Sequence, residues 1–447
     1  PQVIACSATI ANPVELTRSL TSRTDVALVD RSTAPSGDKT FVVLNPAVVD
    51  ETTGVRRSYL KVARGVTARV AESGVATLAF CRTRKAVELL TRYLREDAAK
   101  VEVDRFGVAR GPVDEAALSR AHKAIRGYRG GYLPEHRREV ERALRSGEAR
   151  VVASTNALEL GMDVGGIDAV VLAGYPGTRA ATFQRAGRAG RRGTPSLSVL
   201  ILSSKPIDQF VANDPEFLFG KPPEHARVDP ENPEILVPHL RCAVHELPMN
   251  AGEGLEGIPG SELAPLLDYL VESRVLFRDE VGEQVRYLSL GGDFPAQQVD
   301  LRGAMEENFT VVEEATPGVV LRAENGRVLA EVDFEDGPLY LHPGAIYPLD
   351  GRTYEVLRLE WDARKAFVRE VQSDYYTETI SKRRVRIVDP VVDTARTGST
   401  PSTVRAENGI GYAHVVRAVP GFKKLRFGSH ENVGFGPIEL PDLELHT

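Results

Sequence analysis

The sequence predicts an α/β chain built on a parallel sheet, with two smaller domains after it. Three observations carry this reading. Short apolar runs at residues 76–80, 151–153, 168–172 and 197–202 alternate with helix-length segments, the pattern of buried parallel strands joined by crossover helices. Residues 225–310 read as helices at 233–247 and 261–273, followed by a two-stranded turn of 275–277 against 285–288, which is a winged-helix pattern. From residue 309 onward the runs become short and β-like, separated by turn residues, which predicts a small SH3-like or OB-like barrel. The expected divisions are 1–45, 46–205, 206–310 and 311–447.

Composition narrows the function classes. The chain has 447 residues, enough for two to four domains, with 42% hydrophobic and 26% charged residues. No apolar run reaches membrane-spanning length and no signal peptide is present, so a cytoplasmic location and no membrane partner are expected. A net charge of -6 means that any nucleic-acid site must be a local basic groove. Cys6, Cys81 and Cys242 are scattered in apolar contexts, so each reads as a small core residue. They offer neither a metal quartet nor a disulfide framework. The chain opens on Pro1 without a methionine, which reads as a piece of something longer.

The most informative stretch is 151–193. An apolar strand ends in Ser154 and Thr155. A helix-like segment then closes at Gly161, Met162 and Asp163. A second strand follows, and then Gln184-Arg185-Ala186-Gly187-Arg188-Ala189-Gly190-Arg191. Arg185, Arg188 and Arg191 recur every three residues, which on a helix is one face. Four arginines in eight residues, counting Arg192, call for an anion, and a triphosphate is the obvious one. A planar, permanently charged guanidinium suits phosphate and stabilises charge developing on a transferred phosphoryl group.

At these residues the chain resembles the superfamily-two helicases. STNALELGMD is similar to motif V and QRAGRAGR to motif VI, and the sheet is accordingly expected to be RecA-like. The resemblance implies that Gln184 senses the γ-phosphate and that Arg188 and Arg191 reach it. Gly161 and Asp163 fall on the nucleotide side, Asp163 toward the ribose hydroxyl or the arginines. Thr155 is implied as a phosphate contact to the tracking strand, while Arg185 is expected to pair with a carboxylate inside the fold.

Residues 3–9, VIACSAT, read as a strand ending in Ser7-Ala8-Thr9. This resembles motif III, so Ser7 and Thr9 are expected to couple two RecA-like domains. Residues 28–30 and 41–44 also look like strands, within the stretch that connects those domains. No G-x-x-x-x-G-K-[ST] loop occurs; Gly220-Lys221 is followed by Pro222. Asp114-Glu115-Ala116-Ala117 imitates an acidic box but follows no apolar strand and reads as a helix start. The cofactors implied are ATP and magnesium, bound mostly by residues outside this sequence. These residues alone are not expected to hydrolyse ATP.

After the strand at 76–80, Thr83 and Arg84 resemble motif IV and are expected at a nucleic-acid phosphate, with Thr83 also the natural helix cap. The turn Tyr128-Arg129-Gly130-Gly131 would let backbone amides near Gly130 approach phosphates, following the basic residues Arg120, His122, Lys123 and Arg126. The segment 174–183 is too short for a long strand-separating hairpin. In the β region, Trp361, Tyr375 and Tyr376 read as core or as base-stacking groups. Lys382-Arg383-Arg384 forms a basic edge, and 391–403 reads as a mobile loop.

LHPGAIYPLDGRTYEVLRLEWD at 341–362 and the terminal HENVGFGPIELPDLELHT resemble the MrfA-type mitomycin-repair helicases and their fungal Hrq relatives. That resemblance implies 3′ to 5′ movement, a role in DNA repair, and single-stranded and tailed duplex DNA as partners. It also implies a zinc-binding four-cysteine domain further on, which these residues do not contain, so no metal ligand is assigned here. Two other readings stay open: a noncatalytic nucleic-acid-binding module, and a motor acting on RNA, which backbone contacts alone do not distinguish from DNA.

Overall fold

The computed structural model describes residues 2–31, 33, 37–103, 109–159, 166–190, 193–229, 232–255, 257–282, 284–292, 294–299, 308–314, 326–393 and 409–446. The chain divides into two compact units. One comprises Pro1–Ala34, Gly177–Gln184 and Asp214–Glu306; the other comprises Pro35–Pro176, Arg185–Asn213 and Glu307–Thr447.

The second unit is centred on a six-stranded sheet. In chain order its strands are β1 (Lys39–Leu44), β2 (Thr77–Cys81), β3 (Ile125–Tyr128), β4 (Val151–Ser154), β5 (Ala169–Ala173) and β6 (Ser196–Ile201). They lie in the order β1-β6-β5-β2-β4-β3, and every pair is parallel. Burial on both faces explains why β2, β4 and β5 read as continuous apolar runs rather than alternating ones. The helices of this unit are α1 (Tyr59–Glu72), α2 (Arg84–Ala98), α3 (Glu115–Ala124), α4 (Pro134–Ser146) and α6 (Pro206–Asn213), while α5 (Arg179–Ala186) belongs to the first unit up to Gln184. Leu60 and Ala63 of α1 and Val87, Leu90 and Leu94 of α2 close the core over Ala79, Val171 and Ile201. Cys81 belongs to that core, where burial pushes its thiol up to about 12.

Three local expectations are corrected. Strand 41–44, read as part of the connecting stretch, is β1, the edge strand paired with β6 from Lys39↔Ser196 to Leu44↔Ile201. Residues 3–7 and 28–30 form no strand; Ile4 is 86% and Val29 89% exposed. An apolar run becomes a strand only where a neighbour takes up its backbone groups, and neither segment has one among the described residues. Cys6, expected in a core, is exposed for the same reason.

In the first unit, α7 (Pro233–Glu246), β7 (Met249–Asn250), α8 (Gly260–Glu272), β8 (Leu276–Val281) and β9 (Gln284–Ser289) form the winged helix. The antiparallel sheet runs β7-β9-β8. Leu263, Leu267 and Leu270, spaced for one helical face, pack on Leu240, Val244 and Tyr287. Helix Pro13–Thr21 is fastened to this unit by Asn12, whose amide exchanges two hydrogen bonds with the backbone of Ala226, at 2.8 and 3.0 Å.

The β-rich part of the second unit has two sheets. β10 (Phe309–Glu313), β11 (Arg327–Val332), β12 (Ile346–Leu349), β13 (Arg352–Glu360) and β14 (Lys365–Glu370) lie in the order β11-β10-β14-β13-β12. Only β10 and β14 pair in parallel within that sheet. β15 (Tyr375–Asp393), β16 (Gly409–Arg426), β17 (Asn432–Pro437) and β18 (Leu443–His446) make the second sheet, in which β16 pairs with all three others. Trp361 packs against Phe309 and Phe334, each at 5.5 Å between ring centroids, so it belongs to the core side of this region. Tyr376 is also buried, in the core over the parallel sheet, with Leu425 and Phe427 against the same cluster. Residues 394–408, which cover most of the expected mobile loop, lie outside the described residues.

Candidate functional site

In an open parallel sheet, loops at the C-terminal ends of the strands carry the ligand site, because the helices that follow start there with free backbone N–H groups. Four loops meet that description here. Thr83 and Arg84 follow β2, Arg129 and Gly130 follow β3, Thr155 follows β4, and the segment leading to α5 follows β5. Since β2 lies between β5 and β4, with β3 beyond β4, the sheet order brings together residues up to about a hundred positions apart.

Thr83 is the cap of α2: its Oγ1 accepts the N–H of Ala86 at 3.1 Å. Thr155 is half-buried and begins a single 3-10 turn, Asn156–Leu158, without a side-chain capping bond. Arg84 is ion-paired with Asp333, and with Asp336 at 3.7 Å. Gly130 lies beside it; a Cβ built there would stand 3.6 Å from Arg84 Nη2. The glycine required by the turn is Gly131, with φ 88°, and its carbonyl accepts the N–H of Glu331 at 3.0 Å. The structure therefore gives Arg84 and the Gly130-Gly131 turn protein partners from the β-rich part.

Behind this turn lies a buried polar cluster. Arg129, read from sequence as the end of a basic stretch, is 2% exposed and donates through Nε to Glu88 Oε1 at 2.7 Å. Its Nη2 donates to the Tyr347 hydroxyl at 3.1 Å. Tyr132 donates its hydroxyl to the same Glu88 oxygen at 2.8 Å, while Glu88 Oε2 accepts the Asp350 N–H at 2.8 Å. Burial by itself would lower the Arg129 pKa; Tyr347 and Glu88 more than offset it and keep the guanidinium charged. One helical turn past Leu90, Arg95 donates to the Ile125 carbonyl at 2.9 Å and to the Asp350 side chain at 2.8 Å. Helix α2 thus ties the parallel sheet to the turn between β12 and β13.

The arginine segment is organised by Glu159. Arg185 Nε donates to Glu159 Oε2 at 2.8 Å, the internal carboxylate pairing expected of Arg185. Arg188 Nε donates to the Glu159 carbonyl at 2.9 Å, and its Nη2 turns to the same oxygen. Both arginines are buried, at 8% and 5% exposure. The continuous helical face read from the three-residue spacing is not what aligns them. Helix α5 stops at Ala186, Gly187 and Arg188 form a turn, and Gly190 adopts φ 75°. Helix propensity is lost at the two glycines, and a single acceptor residue gathers the side chains instead. Gln184 is half-buried in the last turn of α5.

At its other end α5 is capped from a distance: Glu224 accepts the N–H groups of Arg179 at 2.8 Å and Ala180 at 2.9 Å. Burial opposes the charged form of Glu224, but these backbone donors prevail and hold its carboxyl below the usual range.

Ser7 is exposed and Thr9 half-buried, just before helix Pro13–Thr21. Gly161, Asp163 and Arg191 lie outside the described residues. Sequence reasoning missed Glu159, Glu224, Glu88 and Asp350, because each is an isolated acid whose partners are set by the fold. The only signal was the concentration of arginines, which requires counter-charges somewhere.

The cations and hydroxyls of these loops suit phosphate oxygens. Among the described residues, no group of three or more His, Cys, Asp and Glu side chains is placed to hold a metal ion. No helix among the described residues is long and apolar enough to cross a membrane.

Comparison with known proteins agrees with this architecture. Residues 61–193 match the helicase conserved C-terminal domain, and residues 228–304 match the winged helix domain of the ATP-dependent helicase HRQ1. The ATP-dependent helicase YprA of Bacillus subtilis is 40% identical over 449 residues, covering 100% of this chain and 54% of YprA. HRQ1 of Saccharomyces cerevisiae is 31% identical, covering 87% of this chain and 34% of HRQ1. The crystal structure of the DUF1998 helicase MrfA bound to DNA superposes with a TM-score of 0.78 at 38% identity, covering 98% of this chain and 54% of MrfA. MrfA bound to DNA and AMPPNP gives 0.76 at 37% identity. The chain spans about half the length of YprA and MrfA.

A parallel RecA-like sheet with an arginine segment at its C-terminal edge, joined in sequence to a winged helix, defines a superfamily-two helicase. Within that superfamily, the chain belongs to the Hrq/MrfA branch.

Proposed function

We propose that this chain forms part of the motor of an ATP-dependent, 3′ to 5′ DNA helicase that acts in DNA repair in the cytoplasm. Its partners are single-stranded and tailed duplex DNA. ATP is the cofactor, used with magnesium, and no metal ligand is assigned to these residues. The observation that carries the reading is the gathering of Arg185 and Arg188 on Glu159 at the C-terminal edge of the sheet. Arg185 is fixed by a carboxylate and serves the fold. Arg188 places Nε and Nη2 on the Glu159 carbonyl oxygen, and a guanidinium bonds more strongly to a phosphate than to a neutral carbonyl. Closure against a nucleotide-loaded RecA-like domain draws Arg188, with Arg191 and Gln184, toward the transferred phosphoryl group, where a guanidinium stabilises developing charge. Thr155 and Thr83, on neighbouring loops, contact phosphates of the tracking strand, and Ser7 and Thr9 couple the two RecA-like domains. Asp163 and Gly161 stand on the nucleotide side. Arg84 and Gly130 reach DNA only as the Asp333 and Glu331 contacts allow.

The test compares the whole protein with its Arg188→Ala and Arg191→Ala variants. ATP hydrolysis is measured with and without single-stranded DNA, then unwinding of a 3′-tailed duplex. Loss of DNA-stimulated hydrolysis by about 10³-fold, with DNA binding retained, is expected for arginines that act on the phosphoryl group. A wild-type protein that binds DNA without any stimulated hydrolysis overturns the motor reading in favour of a binding module.

A further inference from the structure

β15 is held against α2 at one end and exposed at the other. Tyr376 is buried in the core over the parallel sheet, with Leu425 and Phe427 against the same cluster. Arg92, midway along α2, lies over the Phe427 ring at 3.7 Å. Lys85, in the first turn of α2, donates to the Thr377 carbonyl at 3.1 Å and stands 4.0 Å from the Glu378 carboxylate. β15 therefore runs along α2 toward its N-terminus, the end that follows Thr83 at the C-terminal edge of the parallel sheet. Past it, every residue from Ile380 to Val388 is exposed.

Strand geometry sorts the side chains. Alternation along β15 puts Glu378, Ile380, Lys382, Arg384 and Arg386 on one face. The register shift after Ile380 takes its extra residue on β16, from Gly421 to Ala418, so β15 keeps its alternation. The other face is packed where Arg383 stands, because Arg417 and Leu443 in the same row of the three-stranded sheet are buried. The open face is different. Lys382, Arg384 and Arg386 follow one another at about 6.6 Å. None has an ion-pair or hydrogen-bond partner among the described residues. Ala418, Val416 and His414 stand opposite them, and Glu444, beyond Val416, pairs with His414 at 3.6 Å. Elsewhere in the β-rich part exposed arginines are answered by acids, as Arg352 is by Glu370 at 3.1 Å. The register Glu378↔Lys423↔Phe435 puts Phe435 on this open face too, 67% exposed. Ile380, Lys382, Gly421, Phe435 and Pro437 line a shallow hollow of about 450 Å³ there.

In a chain of net charge -6, a straight row of unanswered cations calls for a linear polyanion. Two strand residues span a distance comparable with that between successive phosphates of an extended nucleic-acid strand. The exposed ring and hollow beside the row suit an unstacked base, which a duplex does not offer; cations along a backbone with an aromatic platform are the equipment of single-strand binders. Lysine and arginine on an edge strand also guard it against pairing, but that role needs neither ring nor hollow. We infer that the open face of β15 is a further segment of the single-stranded DNA path, with Lys382, Arg384 and Arg386 on phosphates and Phe435 under a base. The inference rests on the proposed function, in which Thr83 and Thr155 contact the same strand. It extends that path past the N-terminus of α2 onto the β-rich part.

The test uses the whole protein and single-stranded DNA across a range of salt concentrations. The triple variant Lys382→Gln, Arg384→Gln, Arg386→Gln is expected to flatten the slope of log affinity against log salt by about 2.1, for three lost phosphate contacts on a single strand. Arg384→Lys with Arg386→Lys keeps the charges and is expected to keep the slope. Phe435→Ala is expected to weaken binding about tenfold at every salt concentration without changing the slope. A measurement on the wild-type chain is independent of how any variant folds: single-stranded DNA is expected to slow modification of Lys382 by an amine reagent severalfold. Lys365, exposed on the other sheet, should be modified at the same rate with and without DNA. Equal modification of Lys382 with and without DNA, or an unchanged slope in the triple variant, overturns the inference and leaves the cations as edge guards. Protection of Lys382 by poly-glutamate equal to that by DNA, a slope lost in the lysine variant, or unchanged affinity in Phe435→Ala overturns it as well. Wild-type protein that binds no single strand overturns the proposed function itself. Binding with DNA-stimulated hydrolysis while Lys382 stays unprotected overturns this inference alone.

Discussion

The carboxylate of Glu88 and the guanidinium of Arg129 meet at 2.7 Å with both side chains almost wholly out of water, between the parallel sheet and the β-rich part of the same unit. Glu88 comes from α2 and Arg129 from the loop after β3. Both also reach the β-rich part, Glu88 through the Asp350 N–H and Arg129 through the Tyr347 hydroxyl. The pair therefore couples the position of the site-bearing loops to the packing of the domain that follows.

Removing one partner strands the other. Arg129→Met is expected to destabilise the second unit by about 3–5 kcal/mol, since Glu88 would be left charged and buried. Adding Glu88→Gln should recover part of that loss, because the amide keeps an acceptor for Tyr132 without a buried charge. Chemical denaturation of the two single variants and the double variant measures the coupling, for which ~2 kcal/mol is expected. Additive losses would show that the two residues do not act as a pair.

His342 is fully buried, its ring tilted against Phe422 at 4.5 Å between centroids, and burial lowers its pKa from 6.5 to about 4. The unfolded chain then takes up this proton more readily than the folded one between those values. The sign follows: the stability due to neutral His342 is complete above about pH 6.5 and is lost as pH falls toward 4, by at most ~3 kcal/mol. His342→Phe should flatten that part of the pH dependence while preserving the ring contact. Thermal melts from pH 7 to 4 give the comparison, and equal slopes in both proteins would refute the assignment.

Glu224 caps α5 through two backbone N–H groups, and its carboxyl lies below the usual range. Glu224→Ala is expected to cost about 1 kcal/mol, as for other lost helix caps. Because the folded pKa is lowered, this contribution is present above the unfolded value and disappears as pH falls through the folded one. The difference between wild type and variant should therefore shrink in acid. Hydrogen exchange at Arg179 and Ala180 reports it directly, and unchanged protection there would contradict the cap.

Apolar periodicity and residue chemistry determined the class of this protein: buried runs such as 77–81 and 169–173 can only be interior strands, and a string of arginines set in glycine and alanine calls for phosphate. The leucine spacing of 263–270 and the hairpin after it likewise made the winged helix legible. Long-range pairing decided the rest. Phe41 to Leu44 looks no different from 3–6 in hydropathy, yet it is a strand because β6 lies beside it, while 3–6 has no neighbour among the described residues. The sequence set Arg185 apart as the arginine that pairs with a carboxylate inside the fold, but it named no partner for it and gave Arg129 no buried role. Arg129 went to a buried acid, Arg185 to a half-buried one, and Arg84 to the exposed Asp333 and half-buried Asp336, while Arg188 went to a backbone carbonyl. A guanidinium's role depends on which oxygen it faces, and that oxygen is supplied by residues 26 to about 250 positions away, beyond the reach of any local pattern.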